Sequence, residues 1–181
     1  MNITQIAAAI GVSALIAIGG TAPVANTSET GITRTSRGET TITRESRGSQ
    51  RASSGEVVTV RGEAEYFYVN DREMDVFAVM RMDAESPSAA EMIVSMVDSD
   101  YFLGELDGFE YTGTFMVRSA GTCTGIAGTM DWMPIYLVSC ADGRYVNMVM
   151  STDKALAIET VQSLYRDGSF VVPAGFIEEA M

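Results

Sequence analysis

The chain has 181 residues, with 24 acidic against 12 basic side chains and no histidine. Its formal net charge of −12 disfavours nucleic acid and anionic lipid as partners, because phosphate-rich surfaces repel it. Without imidazole there is no Ser-His-Asp or Cys-His catalysis, no histidine-ligated zinc and no histidine acid–base step.

Residues 1–25 read as a signal peptide. The apolar run from Ile6 to Ile18 is shorter than the ~20 residues of a membrane span, and small and then polar residues follow it. Two features depart from the pattern: Met1–Gln5 carries no Lys or Arg, and cleavage after Ala25 would put Pro23 at the minus-three position. An uncleaved anchor is the alternative, and it would be the chain's one contact with a membrane. Either way the remainder is expected in the periplasm or the medium.

Residues 26–55 are Thr, Ser, Gly, Arg and Glu with almost no large apolar side chain. The stretch from Ile32 to Glu39 returns, nearly unchanged, from Ile42 to Ser49. Two such short polar copies cannot stack into a repeat fold, and the composition buries too little surface to offset ordering entropy. A disordered linker is expected.

Residues 56–181 are expected to fold as one domain around a single core. They hold seven basic residues (Arg61, Arg72, Arg81, Arg118, Arg144, Lys154, Arg166) against twenty-one acidic ones. Val57 to Val69 predicts one long strand or two short ones with a kink at Gly62. After the polar turn Asn70–Glu73, alternation from Val76 to Met82 predicts its antiparallel partner. Ser88 followed by Glu91 has the form of a capping box, and Ala89, Met92, Ile93, Met96 and Val97 then fall on one helical face, read as core. Phe109, Tyr111, Gly113, Phe115 and Val117 alternate with polar neighbours as one side of a half-buried strand. Gly121–Gly125 reads as a glycine-rich link, without the Lys of a phosphate-binding loop.

Asp142-Gly143 lies between the strand-like runs Ile135–Cys140 and Tyr145–Ser151, and predicts a hairpin with a type I′ turn. Ser151, Thr152 and Asp153 offer N-caps for a helix reaching about Arg166, with Ala157, Ile158, Val161, Leu164 and Tyr165 inward and Gly168 as C-terminal cap. Ser169–Val172 adds a short strand, and the tail from Ala174 is expected to be loosely held.

The two cysteines allow one intramolecular pairing, Cys123 with Cys140, and a structural disulfide is expected of an exported chain. Neither a Cys-x-x-Cys motif nor an activating histidine favours a reactive thiol. Two chemistries survive. Paired carboxylates, as in glycosidases, could come from Glu63/Glu65, Asp71/Glu73/Asp75 or Glu105/Asp107/Glu110, although twenty-one acids form pairs by chance. Calcium could be held by Asp98, Asp100, Glu105, Asp107 and Glu110, but Phe102 and Leu103 break the EF-hand pattern, and a solvated acidic loop is the simpler reading. No other cofactor is implied.

The expected fold is therefore α+β: a mostly antiparallel sheet with two helices on one face and one disulfide. The expected function is that of an exported, non-enzymatic module. It binds an envelope or secreted protein, or a small ligand, through a sheet face or the Met-rich helix, with Trp132 and the methionines as contact candidates. The alternatives are a small carboxylate-dependent hydrolase and a calcium-stabilised structural domain.

Overall fold

The computed structural model describes residues 33–36, 41–43, 56–119 and 121–179. In chain order the elements are β1 (Thr33–Ser36), β2 (Thr41–Thr43), β3 (Glu56–Thr59), β4 (Ala64–Asn70), β5 (Asp75–Asp83), α1 (Pro87–Met96), α2 (Asp100–Glu105), β6 (Phe109–Phe115), β7 (Cys123–Met130), β8 (Met133–Asp142), β9 (Tyr145–Ser151), α3 (Lys154–Asp167), β10 (Ser169–Val172) and β11 (Ile177–Glu178). Two antiparallel sheets result: seven strands in the order β11-β4-β5-β9-β8-β7-β6, and four in the order β10-β3-β1-β2. The α+β class is as expected.

Side chains alternate faces along a strand, and in the large sheet both faces are apolar. Phe67, Val69, Ile135, Leu137, Val146 and Met148 enter one core, which α1 and α2 cover with Ile93, Val94, Val97, Phe102 and Leu106. Tyr66, Tyr68, Phe77, Val138 and Val149 enter the other, covered by Ala157, Val161 and Leu164 of α3 and by Val58, Phe170 and Val172 of the small sheet. The helices thus lie on opposite faces, not together on one. Phe170 seats the small sheet, meeting the rings of Tyr66 at 5.5 Å, Phe77 at 5.8 Å and Tyr68 at 6.2 Å, all edge-on.

Several local expectations shift for physical reasons. The N-cap of α1 is Ser86, whose hydroxyl accepts from the Ala89 N–H at 3.2 Å with Pro87 in the first helical position, where its missing N–H costs nothing. The face packed on the sheet is that of Ala90, Ile93, Val94 and Val97, which leaves Met92 and Met96 outside. On β6 a bulge between Tyr111 and Gly113 reverses the alternation. Phe109 accordingly joins the α1 face and Phe115 the α3 face. The supposed glycine-rich link is mostly strand β7, in which Gly125 leaves room for the Phe115 ring; a Cβ there would sit 2.6 Å from it.

The Asp142–Tyr145 hairpin forms, but its two loop residues are Gly143 and Arg144, and of these only Gly143 has a positive φ, 57°. That is the type II′ pattern, not type I′. Asp153 caps α3 through the N–H groups of Ala155 and Leu156, and Gly168 ends it at φ 62°. The C-terminal tail is held rather than loose: Phe176 is buried, β11 pairs with β4, and the Glu179 N–H donates to the Phe67 carbonyl at 2.8 Å. Of the expected linker, Thr33–Ser36 pairs as a strand with β3 and Thr41–Thr43 with Thr33–Ser36 in turn, and the rest of residues 26–55 falls outside the described residues, as does the expected signal peptide.

Cys123 and Cys140 face each other across β7 and β8 and form the disulfide. Pairing residues 17 apart constrains the unfolded chain by about 3 kcal/mol on the chain-entropy argument. Replacing both by Ser is expected to lower the unfolding free energy by roughly that amount in urea titrations; an unaltered midpoint would show that the bond contributes nothing to the fold.

Candidate functional site at the turn end of the sheet

Strand directions sort the loops into two ends. At one end lie the β4–β5 turn, the α2–β6 junction, the β7–β8 turn and the start of α3; at the other lie the β8–β9 turn and the β5–α1 connection. The second end is electrostatically closed on itself. Arg81 donates to Asn147 Oδ1 at 3.2 Å and to Asp142 at 3.3 Å, and stacks over the Tyr145 ring at 4.4 Å. Arg144 pairs with Asp83 and covers the same ring, and both the Tyr145 hydroxyl and the Asp83 carboxylate hold it in its charged form. Arg166 pairs with Asp167 at the C-terminus of α3. These are the ion pairs formed between described residues, and all lie at this end.

The first end is not compensated. Asp71, Glu73, Asp107 and Asp131 are exposed on its turns and Asp153 at the start of α3, with Glu110 just inside β6, against two cations, Arg72 and Lys154. Like charges gathered there leave a negative potential for an incoming group to meet.

Two large apolar side chains project from the same end. The β7–β8 turn is two residues long, between Met130 and Met133, and both loop residues have positive φ, 46° at Asp131 and 66° at Trp132. This twist suits a tight hairpin, where glycine or asparagine is usual. An L-residue held there costs about 1–2 kcal/mol, and a bulky one is a clear outlier. Trp132 recovers little through packing, since 75% of its surface is exposed. Met74 ends the β4–β5 turn in the same way, at φ 55° and 48% exposed. On the nearby edge strand β6, Tyr111 is exposed as well.

The acidic candidates are placed as follows. Glu63 accepts from the Asp83 N–H at 3.3 Å, and Glu65, across from Met80, has its pKa raised by desolvation. Glu73 accepts from Asn70 Nδ2 at 3.0 Å, and Asp75 from the Thr152 hydroxyl at 2.9 Å, so these two brace the turn and its junction with α3. Asp98 precedes α2, Asp100 begins it, Glu105 ends it, and Asp107 and Glu110 follow on the way into β6. The helix spreads along its length what a single loop would have gathered. Among the described residues, no three His, Cys, Asp or Glu side chains are set to share a metal ion. Adding EDTA is therefore expected to leave the melting temperature unchanged; a fall restored by calcium would reinstate the site.

No protein-family model, no curated protein and no solved structure matches this chain.

Asp-Trp carries no turn signature, so only the solitary tryptophan hinted at the site in the sequence. The geometry makes a separate demand on stability. Trp132→Gly removes strain and almost no packing, so it is expected to raise the unfolding free energy by up to about 1 kcal/mol. A loss of ~2 kcal/mol or more would show that the indole is a structural element instead.

Proposed function

We propose that this is an exported, non-enzymatic interaction module, periplasmic or secreted, whose contact surface is the turn end bearing Trp132. The observation that supports the reading is Trp132 itself: a large aromatic held at a costly positive φ and 75% exposed. Such strain is held in place by the surrounding fold and clusters at ligand clamps and other functional sites. Tryptophan is also among the side chains enriched at binding hot spots, with tyrosine and arginine. The disulfide is compatible with an oxidising compartment, in keeping with export. Among the described residues no helix is long and apolar enough to cross a membrane.

The test is a crosslinked pull-down from native envelope and culture medium, with the full chain and its Trp132→Gly variant as parallel baits. A partner recovered in stoichiometric amount by the first and lost with the second is expected. Equal recovery by both baits would place the contact elsewhere on the molecule.

A further inference from the structure

The observations at the two ends differ in a way that bears on the partner. At the end away from Trp132 the chain pairs its arginines with carboxylates internally, through Arg81, Arg144 and Arg166. Around Trp132 the carboxylates of Asp131, Asp107 and Glu110 have no such partner among the described residues, and the two cations of this end, Arg72 and Lys154, pair with none of them. An exposed indole beside unpaired carboxylates matches one kind of group best, a guanidinium. Its flat, weakly hydrated face stacks on an aromatic ring while its edge donates to carboxylate oxygens. The molecule already uses this arrangement twice on one ring: Arg81 covers Tyr145 at 4.4 Å and donates to Asp142, and Arg144 covers it while pairing with Asp83.

The dimensions narrow the ligand further. From β4 to β7 the turn end spans five neighbouring strands, about 19 Å at the usual strand spacing. An extended segment of about six residues covers that length. We infer that the turn end docks an arginine-bearing polypeptide segment of a partner protein, with one guanidinium stacked on Trp132 and held by Asp131 and Asp107. This rests on the reading of the turn end as the contact surface, and it specifies what that surface recognises.

Trp132 is the chain's single tryptophan, so intrinsic indole emission reports on this position alone. The full chain is titrated with three synthetic hexapeptides of alternating residues, Arg-Ser, Lys-Ser and Glu-Ser, and separately with phosphatidylcholine vesicles. A saturable change is expected with the arginine peptide, weaker binding with lysine and none with glutamate. The affinity is expected to fall severalfold between ~0.05 and ~0.5 M salt, as screening requires. Asp131→Asn with Asp107→Asn is expected to weaken binding about two- to tenfold, and Trp132→Leu, followed by peptide anisotropy, about two- to fivefold.

Equal response to the glutamate peptide, indifference to salt, or a stronger response to vesicles than to the arginine peptide would each overturn the inference. The two readings fail separately. A pull-down partner that depends on Trp132 but competes with none of the peptides removes the arginine assignment and keeps the interaction module. Unchanged recovery by Trp132→Gly removes the surface itself.

Discussion

Both faces of the seven-stranded sheet have to be covered, and most of the architecture follows from that. On β4, Tyr68 and its neighbour Val69 point to opposite faces, yet are 1% and 2% exposed. A sheet apolar on both sides cannot present either to water, because each uncovered side chain of this size costs about 1.5–3 kcal/mol. The chain supplies covers from different parts of its length. The α1–α2 excursion between β5 and β6 closes one face; α3, with β3 and β10, closes the other. The bulge in β6 belongs to the same requirement, since it lets one short edge strand give Phe109 to one core and Phe115 to the other.

Covering both faces leaves the edges and ends of the sheet, and the outer sides of the covering helices with Met92, Met96 and Tyr101, as the surfaces free for recognition. Of the two ends, one spends its charges on itself. Arg81, packed among β5, β8 and β9 with its side chain only 12% exposed, is neutralised by Asp142 and lies against Tyr145, as a half-buried cation must be. The other end retains its negative charge and holds Trp132 and Met74 outward on backbone that each would avoid in isolation. Stability and availability are thus divided between the ends of one sheet.

The parts of the fold legible in the sequence were those with local chemical signatures. Gly143 announced a hairpin, Asp153 and Gly168 bracketed α3, and the two cysteines had one pairing open to them. Elsewhere the apolar pattern fitted two answers. In α1, a stripe of Met92 and Met96 and a stripe of Ile93, Val94 and Val97 are both apolar, and the docking of the helix on the sheet decides which turns inward. Alternation alone carries no mark of the β6 bulge, and a tight turn made of Asp131 and Trp132 lacks the glycine that would reveal it. The grouping of Asp107 with Asp131 is a property of topology: 24 residues apart in sequence, they flank Phe109 and Met130, which pair across β6 and β7.

The central claim is that recognition occurs at the Trp132 end. Hydrogen–deuterium exchange on the full chain, alone and saturated with its captured partner, tests it most directly. The account requires new protection in the amides of residues 71–75, 105–110 and 129–133, with little change in α1 or around Arg144. Protection confined to the outer side of α1, or to the Arg144 turn, would contradict it.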